Sequence, residues 1–283
     1  MQHIEFIHKD HFEKKYHRRK VRQGSLQPFI DFFWETDFDD LWPKYPDGFS
    51  DALFPNVGYT YLINLGTPFV MQLGDDAVEM RSDGFLPRHK SLICHHTAGN
   101  RIFGIKFNIS PLVFQKRINF AEYRDYIFPL AYLIDRDVVL KIKNADSFLK
   151  RVDIISAYYK KIIEQHQGSL QYVDVVAGIL KESFDTNVFD KPIEEWAAQH
   201  NITTRTLQRY FEAATSTSSK QALQIMRIRK ALEHLITDAH SFHFSNYGYY
   251  DYSHFYKHLK TFLDKHATAV LQPHLHQLRQ LSA

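Results

Sequence analysis

Arginine and glutamine can make paired hydrogen bonds to the edges of guanine and adenine, and three such side chains fall close together in TTRTLQRYFEAAT: Arg205, Gln208 and Arg209. On a helix, Leu207, Phe211 and Ala214 share one side of this stretch, while Arg205, Gln208, Arg209 and Glu212 share the other. An exposed set near a helix N-terminus suits base reading in a major groove. A solvated helix face has the same composition, so the elements preceding it must decide between the two.

Histidine offers a second chemistry, because 17 His is a high count. His95 with His96, His240 with His243, His254 with His258, and His274 with His276 could each supply imidazoles to a metal. None of these pairs has an acidic residue placed as third ligand or general base, and no HExxH occurs. Nucleophilic hydrolysis has no GxSxG elbow, Cys94 has no local signature, and phosphate-loop and dinucleotide fingerprints are absent. The expectation is a protein that is not an enzyme and needs no metal or cofactor.

The elements before TTRTLQRYFEAAT favour the base-reading alternative. Asp190 and Pro192 mark a helix start, Glu194 and Glu195 place negative charge in its first turn, and Ile193, Trp196 and Ala197 form an apolar face. The helix stops near His200-Asn201, Ile202 can plug the angle of the turn, and Thr203 or Thr204 can cap the next helix. Helix, short turn, helix is the geometry that lets a second helix enter a major groove. Downstream, Ile225, Ile228, Leu232 and Leu235 are spaced 3, 4 and 3, the buried stripe of a longer helix over about 219–236.

Composition sets the frame around these elements. With 283 residues, 44% of them hydrophobic, the chain can bury a core in each of two domains. No stretch approaches the roughly 20 apolar residues that span a bilayer. Residues 1–20 are rich in His, Lys and Arg and lack the apolar segment of an export signal, so a cytoplasmic protein is expected. The single cysteine, Cys94, reads as a small buried hydrophobe. From Asp190 on, 11 Lys and Arg face 8 Asp and Glu, whereas the two kinds balance before it, so the net charge of +3 sits in the C-terminal piece.

Residues 26–110 read as mostly β, a small barrel or sandwich, because apolar runs such as 59–64, 69–73 and 102–107 lie between Gly and Pro turns. Aromatics there, among them Phe32, Phe33, Trp34, Trp42, Tyr59 and Tyr61, either line a pocket for a small apolar or sugar-like effector or fill the core, and the core reading is preferred. After about Ala145 the period changes. Phe148, Val152, Ile155, Tyr159 and Ile162 form one helical stripe, and Leu170, Val173, Ala177, Leu180 and Phe184 form another, with Ser169 as N-cap. Such helices suit a connector or a homodimer surface, or they simply pack on their own domain. The expected class is α+β: a mostly-β N-terminal regulatory, sensor-type domain over 1–140, a helical linker over 141–187, and an all-α C-terminal domain over 188–283.

The stretch IEEWAAQHNITTRTLQRYFEAAT, with KQALQIMRIRKALEHL and GYYDYSHFYKHLK after it, resembles the AraC/XylS family of bacterial transcription regulators over roughly residues 192–260. LQPFIDFFW, YLINLGTPF and FGIKFNISPL resemble the sensor-type, cupin-like domain that precedes this module in one branch of the family. The resemblance implies a seven-helix module with two helix-turn-helix units joined by a long helix, binding double-stranded promoter DNA. Carried over by position, Thr204, Arg205, Gln208 and Arg209 contact DNA in the first unit. In the second, Tyr252, Ser253, Tyr256 and Lys257 do so, with Lys260 on phosphate.

The second unit departs from the family pattern. His243-Phe244 stands where Ile-Ala is usual, and a Phe at a tight helix crossing pushes the helices apart. Beyond Lys260, Leu263 and His266 replace the usual Gly and Pro, and in the first unit Ser216 and Ser219 do the same. A divergent, weaker second reading head is expected. The alternative is an effector- or partner-binding protein that keeps the fold with weakened DNA recognition.

Overall fold

Short apolar runs, interrupted by turn residues, produce the N-terminal half. The computed structural model describes residues 3–4, 16–111, 114 and 126–263. Among these, the strands are β1 (His3–Ile4), β2 (Tyr16–Lys20), β3 (Ile30–Asp37), β4 (Phe49–Leu53), β5 (Tyr59–Asn64), β6 (Phe69–Leu73), β7 (Asp76–Met80), β8 (Gly84–Pro87), β9 (Leu92–His96), β10 (Arg101–Phe107) and β11 (Phe128–Pro129). They form two antiparallel sheets, ordered β1-β4-β9-β6-β7 and β11-β8-β5-β10-β3-β2.

Successive side chains of a strand point to opposite faces, and here both faces of the larger sheet are covered. Phe32, Trp34, Leu62 and Ile102 meet Phe69, Met71 and Cys94 of the smaller sheet. Phe33, Tyr59, Tyr61, Phe103, Ile105 and Phe107 join the helices in a second cluster. The expected core reading of the aromatics therefore holds for Phe32, Phe33, Trp34, Tyr59 and Tyr61, each at most 2% exposed, while Trp42 is half-buried. Cys94 is buried, with its sulfur 3.7 Å from His96 Nδ1. Gly104 lets Trp34 lie across the sheet: a Cβ there would come within 2.0 Å of the indole Cε2.

The described helices are α1 (Arg136–Asn144), α2 (Phe148–Glu164), α3 (Gln171–Thr186), α4 (Ile193–Gln199), α5 (Thr204–Thr215), α6 (Ser219–Thr237) and α7 (Tyr252–Phe262), with 3-10 turns at Leu130–Tyr132 and Phe244–Tyr247. Both predicted stripes face inward. Val152, Ile155, Tyr159 and Ile162 of α2 and Val173, Ile179 and Leu180 of α3 are buried in the cluster that covers the larger sheet. Residue 170, not Ser169, is the N-cap of α3, although the Ser169 hydroxyl accepts a 3.2 Å hydrogen bond from the Gln171 amide. A buried ion pair fixes α2 on the sheet: Arg151 Nη1 lies 3.1 Å from Glu35 Oε2 on β3, and Arg151 Nη2 donates to the Ala145 carbonyl at 2.6 Å.

Helix α3 also packs against α5 and α6, so one apolar cluster runs from the sheet into the C-terminal helices. The Tyr59 hydroxyl on β5 donates to the hydroxyl of Ser216, just past α5, and Arg229 Nη1 of α6 donates to the Pro55 carbonyl at 3.5 Å. Ser216 and Arg229 are 6% and 4% exposed, so both junction contacts are shielded from water. Among the described residues, no helix is long and apolar enough to cross a membrane.

Candidate nucleic-acid interface

The first unit is built as its residues suggest. Pro192 precedes α4 with an extended backbone, Glu194 and Glu195 lie in its first turn, and Trp196 and Ala197 are buried. The chain turns through His200 and Asn201, whose φ of +54° is tolerated by asparagine. Thr203 then caps α5, its hydroxyl accepting from the Thr206 amide at 3.1 Å. Leu207, Phe211 and Ala214 are fully buried, and each apolar side chain of Leu or Phe size contributes roughly 1.5–3 kcal/mol to holding α5 against its neighbours.

With that face buried, Thr204, Arg205 and Arg209 point to solvent, and neither arginine makes an ion pair among the described residues. Gln208 is placed differently. Its amide nitrogen donates to Glu212 Oε1 at 2.7 Å, and its amide oxygen accepts from the Ser219 hydroxyl at 3.1 Å and the Ser219 amide at 3.3 Å. It stitches α5 to the start of α6, and must release these bonds to reach a base.

The second unit is shorter. Where a leading helix is expected, the chain forms only the four-residue turn Phe244–Tyr247, with Phe244 half-buried. The bulk of Phe244, and His243 accepting from the Ser245 amide, account for a tight turn in place of a packed helix. Helix α6 braces this turn and the residues that lead into α7. Arg227 Nε donates to the Tyr247 carbonyl at 2.6 Å, Nη2 donates to the Gly248 carbonyl, and the guanidinium lies 4.0 Å from the Tyr249 ring centre. His234 shares hydrogen bonds with the Tyr247 hydroxyl at 2.7 Å and the Ser241 hydroxyl at 2.8 Å. Gly248 has φ +70°, and a Cβ would sit 3.1 Å from Arg227 Nη2, so a side chain here would be strained and would press on the Arg227 brace.

Asp251 caps α7, accepting from the His254 amide at 2.7 Å. Phe255 and Leu259 are buried; Ser253, Lys257 and Lys260 are exposed; Tyr252 and Tyr256 are half-buried and stack at 5.8 Å with their planes 11° apart. Lys260 Nζ lies 4.6 Å from the Tyr256 ring centre. Tyr250, just before the cap, is 90% exposed, a candidate contact that the sequence reading missed although it sits inside GYYDYSHF. Burial and the nearby Arg227 lower the His258 pKa to about 4, and its Nδ1 shares a 2.5 Å hydrogen bond with the Tyr249 hydroxyl. At neutral pH His258 is therefore uncharged.

The other histidine pairs have local partners too. His95 sits between Ser50 at 2.7 Å and Gln72 at 3.2 Å, while His96 bonds Asn100 at 2.7 Å among Phe38, Phe49 and Phe69. His243 bonds Ser245 at 2.6 Å. His274, His276 and His266 lie outside the described residues. Among those described, no group of three or more His, Cys, Asp or Glu could hold a metal ion.

A cleft of about 360 Å³ opens between the two halves. Arg18, Lys20 and Val57 line it from the sheet side, and Leu180, Phe184 and Arg229 from the helices. Asp31, Asp185 and Glu233 also line it, Glu233 paired with Arg229 at 3.2 Å, so it joins apolar walls to polar edges of both charges.

No protein-family model matches the chain, and no curated protein matches it. Among solved structures, the chain is similar to ToxT from Vibrio cholerae, with 10% identity, a TM-score of 0.45, and coverage of 94% of this chain and 99% of that one. It is also similar to unsaturated-fatty-acid-bound ToxT from the same organism, at 9% identity and TM-score 0.44, covering 91% and 95% of the two chains. The AraC-like transcriptional activator CuxR matches at 9% identity and TM-score 0.32, covering 79% and 89%. These likenesses are remote in both sequence and shape.

Proposed function

We propose that the chain is a transcription regulator of the AraC/XylS type that binds double-stranded DNA sequence-specifically and is not an enzyme. In this reading residues 188–283 bind promoter DNA, residues 1–140 regulate, and residues 141–187 connect them. The observation that carries it is a capped, well-packed helix, second in a helix-turn-helix, that presents Arg205 and Arg209 to solvent. Thr204, Arg205 and Arg209 contact DNA in the first unit, joined by Gln208 once it is released from Ser219. Tyr252, Ser253, Tyr256, Lys257 and Lys260 contact DNA in the second. The phosphate contacts among these make affinity salt-dependent.

Regulation enters at the junction. The sheet interior is filled with side chains, so the cleft beside Lys20 and Arg229 is where a small amphipathic effector would act. A ligand there touches both the sheet and α6, and would shift the poise of the heads by its differential contacts.

A titration by fluorescence anisotropy against the DNA upstream of its own gene and a scrambled duplex, at two salt concentrations, tests the reading. Nanomolar, salt-weakened binding that prefers the native sequence is expected. Weak, equal binding to both duplexes would instead favour a second reading, suggested by the abbreviated second unit: an effector- or partner-binding protein that keeps the fold with weakened DNA recognition.

A further inference from the structure

The caps put α5 and α7 in a common register, so their faces can be compared position by position. Thr203 and Asp251 are the respective N-caps. Counting from them, the buried pair Leu207 and Phe211 corresponds to the buried pair Phe255 and Leu259. On the opposite side Arg205 pairs with Ser253, Arg209 with Lys257 and Glu212 with Lys260, all exposed, and the half-buried Gln208 pairs with the half-buried Tyr256.

At Arg205, Gln208 and Arg209 the change runs in one chemical direction, away from planar paired hydrogen-bonding groups. Two fork-shaped guanidinium groups become a hydroxyl and a flexible ammonium, and the amide becomes a phenol. Between Tyr252 and Phe262 there is no Arg, Asn or Gln, the side chains whose planar paired groups fit guanine or adenine edges most selectively. A serine hydroxyl accepts either kind of base edge, so it discriminates poorly. Positive charge is meanwhile retained and concentrated. α7 carries two lysines and no acid, whereas Glu212 offsets part of the charge on α5. An ammonium acts as a point charge with freely rotating donors: it binds phosphate in that way, and it can bond guanine O6 and N7 but without the fixed fork that makes a guanidinium selective. Lys260 is already drawn onto the Tyr256 ring, which leans on Tyr252, and Tyr250 adds an exposed aromatic at the helix start.

We infer that the two heads divide the work: α5 reads sequence, and α7 is a sequence-independent clamp for the sugar-phosphate backbone, built from Lys257, Lys260 and the surface of Tyr250, Tyr252 and Tyr256. The inference rests on the DNA-binding reading above and states what the second head recognises: the duplex backbone about one helical turn, roughly 34 Å, from the bases that α5 reads. Operator sequence should then matter over one segment only, while contact length and salt dependence reflect both.

The test uses the full chain and a natural operator duplex in which base pairs are substituted one at a time, together with a Lys257→Ala/Lys260→Ala variant. Substitutions are expected to weaken binding by about 5- to 150-fold within one segment of a few base pairs. One helical turn away, they should change it by less than about 2-fold, the scatter left when no base is read. The double variant should lose the same factor on operator and scrambled duplex, and the slope of log affinity against log salt should fall by about 1.8, two phosphates' worth. Strong base dependence in both segments, or a double variant that loses affinity only for operator, overturns the division of labour but leaves the regulator reading intact. Absence of any base preference at either segment overturns both. Circular dichroism of the variant separates lost contacts from lost folding.

Discussion

Helices α5 and α7 share a capping pattern and a buried stripe, yet they are supported to different degrees. α5 rests on the helix α4, whose Trp196 is 1% exposed, while α7 follows a four-residue turn that buries Tyr247, leaves Phe244 half-buried and is held by Arg227 of α6. Where a leading helix packs fully, the helix after it can hold guanidinium groups in a fixed orientation, as paired hydrogen bonding demands. Where a short turn takes that helix's place, contacts that tolerate imprecision, such as ammonium to phosphate, demand less of the support, which is how the proposed clamp would differ. Precision of support and chemistry of the exposed face thus vary together.

Removing that support should have the largest effect. Trp196→Ala is expected to cost about 3–5 kcal/mol of stability, as for other large buried aromatics, whereas Phe244→Ala should cost only about 1 kcal/mol for its partly exposed ring. Chemical denaturation of both variants checks this, and equal losses would break the comparison. Next, Arg209→Ala should lose about 1–3 kcal/mol of binding to operator with little change on scrambled duplex, read by anisotropy.

A pH series sharpens the comparison further, because only the second unit holds a strongly displaced histidine. Unfolded His258 would titrate near 6.5, but in the fold its pKa is lowered to about 4, chiefly by burial. Between these values the unfolded chain binds the extra proton, so the stability His258 confers is complete above about pH 6.5 and drains away as pH falls toward 4. Melting followed from pH 7 to pH 4 should show this loss, and His258→Gln should flatten it. The smallest effect is expected at the junction. Tyr59→Phe deletes the hydroxyl that reaches Ser216 and should cost about 0.5–1.5 kcal/mol, without altering which bases are preferred.

Much of this architecture was legible in the residues. The stripes of α2, α3 and α6 and the cap at Thr203 come from spacing and side-chain chemistry that act within one turn of helix. Strand β2 was not, since HRRK carries no apolar run of the kind that marks the other strands; as an edge strand it can be charged. Helical phase alone puts Gln208 on the outward side, because it cannot show Ser219 folding back to meet it. The Tyr59 to Ser216 contact joins residues 157 apart, and no local pattern encodes such a pairing. His243-Phe244 did signal a disturbed second unit, and a 3-10 turn is the form the disturbance takes.

The most direct measurement is a selection from random duplexes with the purified full chain, sequencing the duplexes that bind. The expected outcome is one enriched segment of a few base pairs, lost with Arg205→Ala/Arg209→Ala, beside a turn of helix without preference. Two enriched segments one turn apart would contradict the difference between α5 and α7, and a pool with no enriched segment would contradict DNA reading altogether.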